Sequence, residues 1–154
     1  MIKINVVIKD KKWNYFINNP ENYLKKKIKI LSRKEIFFKK KNFDFTILLS
    51  NKKEIKNLNK KFRKKNKDTD VLSFPSFNLK TTLDLIKKKN NFYLGDIVIN
   101  LSKVRHNSID NRFKDNFNKL WIHGFLHLIG YRHKNNKDYL KMKNREKKIF
   151  KMIK

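Results

Sequence analysis

The sequence predicts an α+β fold: one sheet of about four strands with helices packed on it. Strand-like and helix-like segments alternate along the chain, with no internal repeat and no linker between them. The length of 154 residues suits one domain around one core, so residues 1–154 are read as a single unit. From Phe113 to Ile129 the apolar residues recur at helical spacing and nearly surround the axis, as a buried central helix requires.

Each element has its own signal. Ile2 to Ile8 alternates apolar and polar side chains and reads as a strand. Tyr23, Leu24, Ile28 and Leu31 share one helical face, which predicts a helix over Pro20 to Leu31. Phe43 to Leu49 is β-branched and aromatic, a buried strand. Asn51 is placed to cap a helix running to about Phe62, with Ile55, Leu58 and Phe62 on one side. The basic loop KKNKD follows, then a short strand from Thr69 to Phe74 that Pro75 stops. Residues 76–91 read either as a short helix or as a loop. Tyr93 to Asn100 reads as a further strand, placed at a sheet edge. Gly130 closes the central helix as a C-terminal cap would, and a last basic helix spans roughly Lys137 to Lys151.

Composition narrows the class. No run of about 18 uncharged apolar residues occurs, which argues against a membrane-spanning helix. The opening MIKINVVIKDKKW lacks the apolar core and cleavage site of a secretory leader, so a cytoplasmic location is expected. Cysteine is absent, which excludes thiolate metal sites and disulfide scaffolds. The net charge of +28 favours a polyanionic partner, nucleic acid before an anionic membrane. Yet lysine and asparagine abound while alanine and glutamine are missing. Drift towards A/T-rich codons would give the same profile, so charge supports an RNA partner without identifying one.

Histidine is more specific. There are four, and three fall within WIHGFLHLIGYRH, spaced as His123, three residues, His127, five residues, His133. Positions i and i+4 of a helix lie on one face, so His123 and His127 can point at one ion. On an unbroken helix His133 would lie about 15 Å along the axis from His123. Gly130 lets the chain leave the helix and fold His133 back. Three imidazoles leave the fourth tetrahedral position to water, the pattern of a catalytic zinc. Only three glycines occur (Gly95, Gly124 and Gly130), and two lie in this window. Metzincin peptidases share the spacing as HExxHxxGxxH, but their general base, a glutamate after the first histidine, is replaced here by Gly124. A peptidase without its base is a poor hypothesis.

HGFLHLIGYRH resembles the HGxLHLxGYDH signature of the YbeY family of ribosomal-RNA maturation factors. LNKKFRKKNKDTDVLSFP and YLGDIVIN resemble two further family segments, in the family's order. The resemblance implies a mixed sheet with helices on both faces and a central, zincin-like metal-binding helix. It implies one zinc ion per chain, held by His123, His127 and His133, and a functional arginine at Arg63. It further implies a single-strand-specific endoribonuclease that matures the 3′ end of small-subunit rRNA and serves ribosome quality control. Its partners would be that rRNA and the ribosome or its proteins, with no membrane and no DNA specificity.

Chemistry supports part of this. Zinc can polarise a phosphoryl oxygen and bring bound water to a pKa of about 7. The Arg63 guanidinium is a planar fork that matches phosphate oxygens, so it could stabilise charge as the phosphate is attacked; alone it would be an ordinary surface arginine. Lys64, Lys65 and Lys67 could follow the RNA backbone or form a solvated loop. Asp96 could orient a ligand histidine or be a structural acid at a strand end. The nucleophile is left open between metal-activated water and the RNA's own 2′-hydroxyl.

Two departures stand out. Asp68 replaces a proline before TDVLSFP, and Arg132 replaces the aspartate before the third histidine. Arg132 could weaken the metal site or add a phosphate contact. A disabled site would leave a different protein, a non-catalytic ribosome-assembly or RNA-binding factor with a structural zinc.

Overall fold

The computed structural model describes residues 2–35, 42–77, 91–106 and 112–154. The elements run β1 (Ile2–Ile8), α1 (Trp13–Phe16), α2 (Pro20–Lys34), β2 (Asn42–Ser50), α3 (Lys52–Arg63), β3 (Val71–Pro75), β4 (Asn91–Asn100), α4 (Leu101–His106), α5 (Phe113–Leu128) and α6 (Asn136–Ile153). The four strands form one mixed sheet in the order β1-β2-β4-β3. β1 with β2 and β2 with β4 are parallel, while β3 with β4 is antiparallel. Most of the stretch read as helix or loop, residues 78–90, lies outside the described residues.

Strand parity sends side chains to two faces. Phe43, Phe45, Ile47 and Leu49 of β2 and Ile97 and Ile99 of β4 enter a large core with Leu24, Ile28 and Leu31 of α2, Phe117, Trp121 and Phe125 of α5, and Met142, Ile149 and Ile153 of α6. Leu48, Leu72, Phe74 and Val98 point the other way and pack under Ile55 and Leu58 of α3. Helices therefore cover both faces. The burial of α5 explains its all-round apolar sequence, because it is packed between the sheet and α6.

Local chemistry fixes the ends. The Asn19 side chain accepts from the backbone N–H of Asn22, Pro20 takes the first helical position, and Arg33 and Lys34 sit in the last turn of α2. That helix runs one turn past the expected Leu31. Ser32, in the added turn, is buried and accepts from the Ile2 N–H through its Oγ at 3.2 Å. Asn51 caps α3 as the sequence predicts, accepting from the Glu54 N–H at 3.1 Å.

The edge placement of Tyr93 to Asn100 is corrected. β4 is hydrogen-bonded on both sides, and the sheet edges are β1 and β3. Its inner polar residues have partners: the Asn100 side chain donates to the Thr69 carbonyl at 3.0 Å, and Asp96 accepts from the Tyr93 hydroxyl at 2.6 Å. Two short helices, α1 and α4, were not legible as such. In α1 the buried Trp13 donates from Nε1 to the Ser50 carbonyl at 3.0 Å. Among the described residues no helix is long and apolar enough to cross a membrane.

Candidate active site

The site grows from the C-terminal half of α5. One helical turn separates His123 from His127, and their Nε2 atoms lie 3.1 Å apart. α5 then ends in a Schellman motif: the Gly130 N–H reaches the His127 carbonyl at 3.2 Å and the Tyr131 N–H reaches the Leu126 carbonyl at 2.9 Å. Gly130 has φ of 101°, a conformation that a side chain would strain. The chain turns back there and brings the His133 ring to 5.6 Å from that of His123 and 5.0 Å from that of His127. One ligand nitrogen from each of the three lies within 4.8 Å of the others.

These residues fit a metal ion. Tetrahedral nitrogens at zinc-ligand distances would be about 3.3 Å apart, close to the separation of the two Nε2 atoms. The outer nitrogens are already engaged: His123 Nδ1 lies 2.7 Å from Glu146 Oε1, and His127 Nδ1 lies 3.0 Å from the Tyr131 carbonyl oxygen. Each partner fixes the tautomer that leaves Nε2 with a lone pair facing the cluster. Burial, then the neighbouring His123, His133 and Arg132, lower the pKa of His127 to about 4 against the opposing pull of the Tyr131 carbonyl. The ring is neutral at physiological pH and can act as a ligand.

Arg63 is brought to the same place. It is the last residue of α3, and its Nη2 donates to the Ser73 carbonyl at 3.0 Å. His123, His127, His133, Arg63, Arg132 and Lys134 all line one cleft of about 370 Å³. Lys64, Lys65 and Lys67 are exposed and are not among its lining residues. Lys64 caps α3 in the left-handed conformation and borders a separate open groove with Lys60 and Lys61.

Asp96 is not at the histidines. It pairs with Phe74 and Thr46 on the α3 face of the sheet, whereas its neighbour Ile97 faces α5. The acid that sequence reasoning missed is Glu146, twenty-three residues from His123 and on a different helix. Its signal was faint: α6 is crowded with lysine and holds only two acids, Asp138 and Glu146.

Gly124 carries a packing constraint. A Cβ there would lie 2.7 Å from Ile97 Cγ2 and 3.1 Å from Ser73 Oγ. The Ser73 hydroxyl donates to the Gly124 carbonyl at 3.2 Å. A side chain at the position where a metzincin carries its glutamate would run into Ile97 and Ser73, so α5 as packed has no room for that base. The substitution of Asp68 is absorbed without disruption, for its carboxylate lies 3.6 Å from Lys103 Nζ.

Fold and site together define an α+β protein with a three-histidine, metal-competent cleft bordered by arginines. The family model described as Endoribonuclease YbeY matches residues 6–154. Endoribonuclease YbeY of Pelagibacter ubique is 46% identical, with all of this chain and 97% of the relative covered. Endoribonuclease YbeY of Ruthia magnifica is 37% identical over 99% of this chain and 96% of its own length. The solution structure of a Thermotoga maritima protein superposes with a TM-score of 0.63 at 26% identity, covering 99% of this chain and 89% of that one. The chain belongs to the endoribonuclease YbeY family.

Proposed function

We propose that this chain, acting as one domain in the cytoplasm, is a zinc-dependent, single-strand-specific endoribonuclease that matures the 3′ end of small-subunit rRNA. The observation that carries this reading is the convergence of three histidine ligands and Arg63 on one cleft. His123, His127 and His133 would hold one zinc ion, which when bound supplies a Lewis acid beside the phosphate and lowers the pKa of water. Among the described residues the cluster offers three ligands, the count of a catalytic rather than a structural zinc site.

The protein's own groups have separable roles. Arg63 binds a non-bridging oxygen of the scissile phosphate and stabilises the negative charge that grows as the new bond forms. Its anchor on the Ser73 carbonyl holds the guanidinium fork in position before substrate arrives. Glu146 and the Tyr131 carbonyl keep two ligand rings aimed inward. Lys64, Lys65 and Lys67, exposed just beyond Arg63, extend positive charge along the path of the RNA strand.

The test is cleavage of a labelled single-stranded RNA by protein of known zinc content, beside Arg63→Ala and His127→Ala. Cleavage at about one zinc per chain is expected, abolished by chelation and by either substitution, with zinc retained in Arg63→Ala. Zinc-loaded protein that binds RNA but never cuts it would overturn the enzyme reading. That outcome would favour a non-catalytic assembly factor, the role that Arg132 in place of the family's aspartate would suit.

A further inference from the structure

Arg132 follows Gly130 and Tyr131 on the loop leaving α5, immediately before His133. It lines the histidine cleft and also an adjoining cavity of about 240 Å³, walled by Ile129, Tyr131, Asp138 and Lys141 among others. The residue therefore stands at the junction of two openings. Its Nε is buried and has no hydrogen-bond partner. It also takes part in none of the ion pairs found among the described residues. A desolvated guanidinium N–H without an acceptor is costly, and the terminal N–H groups of Arg132, which have no partner among the described residues, are the part of the fork left to take an anion in the cleft.

The cleft is larger than one phosphate group needs, within the range of pockets that enclose a drug-sized ligand. Arg63 and Arg132 both line it, each with a planar fork suited to phosphate oxygens. Tyr131, Arg132 and Asp138 are among the residues that wall the adjoining cavity. An aromatic face, a guanidinium plane and a hydrogen-bond acceptor are the groups that receive an unstacked nucleobase.

We propose that Arg132 forms a second phosphate subsite, gripping the phosphodiester next to the one held by Arg63 and directing the adjacent nucleotide into the neighbouring cavity. This rests on the reading of the cleft as an RNA site. The loss of the family's aspartate is, on this view, a gain of strand grip rather than damage to the metal site.

The test measures equilibrium binding of a short single-stranded 2′-O-methyl oligoribonucleotide to the zinc-loaded full chain across a salt series. Each phosphate contact on a single strand contributes about 0.7 to the slope of log affinity against log salt. Arg132→Ala should lower that slope by about this amount and weaken binding roughly tenfold at moderate salt. Arg132→Lys should keep the slope, and zinc affinity should change in neither variant. Lys29→Ala, an exposed change on α2, should alter nothing. An unchanged slope in Arg132→Ala overturns the subsite, as does a loss of RNA binding that tracks a loss of zinc. Absence of cleavage by the unaltered protein would sink the enzyme reading alone, since the slope is read without turnover.

Discussion

Glu146 Oε1 lies 2.7 Å from His123 Nδ1, so a carboxylate on α6 sets the ring of the first candidate ligand on α5. The contact crosses between two helices packed against each other, which ties the quality of the metal site to tertiary packing. Carboxylate partners of this kind raise ligand basicity and hold the tautomer. Glu146→Gln should lower zinc affinity by about 10- to 100-fold, and Glu146→Ala by at least as much. Competition with a chelating dye reads this directly. Equal zinc affinity in all three proteins would show the contact to be dispensable.

Glu35, at the C-terminal end of α2, makes a two-pronged pair with Arg145 of α6 at 2.9 and 3.1 Å, and Lys148 adds a third contact at 3.5 Å. Burial would raise the carboxyl's pKa, but the hydrogen bonds and charge of Arg145, with help from Lys148, hold it below its ordinary 4.5. The unfolded chain therefore takes up this proton first as pH falls. The stabilisation is complete above pH 4.5 and is lost as pH drops through the lower folded value. Glu35→Gln should cost about 3 kcal/mol at pH 7 in urea unfolding and flatten the acid limb of the stability profile.

Gly124→Glu would write the metzincin signature into the chain. The added side chain meets Ile97 and Ser73 from the first carbon onward. Overpacking of this kind costs about 1–3 kcal/mol for a methylene, and a charged carboxylate against the sheet adds more. The variant should fail to fold or melt far below the parent, and it should gain no peptidase activity. A well-folded variant with undiminished thermal stability would refute the close approach of α5 to β4.

Metal removal should act on stability as well as chemistry. The three candidate ligands lie on the end of α5 and on the loop beyond Gly130, so a bound zinc ion would fasten that loop. At a free zinc concentration 100-fold above the dissociation constant, linkage predicts about 2.7 kcal/mol of added stability. Thermal melts with and without chelator should differ accordingly, and His133→Ala should abolish the difference.

Much of the architecture could be read from the chain because the relevant information is local. The helical spacing of His123 and His127 and the glycine at 130 are short-range patterns, and so is the Asn51 cap. What escaped depends on distant contacts. Glu146 is paired with His123 by the packing of α5 against α6, which no spacing encodes. The face that Asp96 occupies depends on a register shift in the β2–β4 ladder between Asp44 and Phe45, where Tyr93 and Gly95 oppose successive residues. A single extra residue reverses parity, so alternation alone cannot assign the side chain. The four-residue α1 is too short to show periodicity, and its hold is the single buried Trp13.

The tight seating of Gly124 also bears on mutational history. Half of the glycine codons lie one base from a glutamate codon, and in a chain whose composition suggests pressure towards A and T, the change from GGA to GAA lies downhill. Contact with Ile97 and Ser73 sets a packing cost against that easy genetic step. A lineage starting from this scaffold would have to repack Ile97 and Ser73, or shift the helix itself, before glutamate-based hydrolysis came within reach.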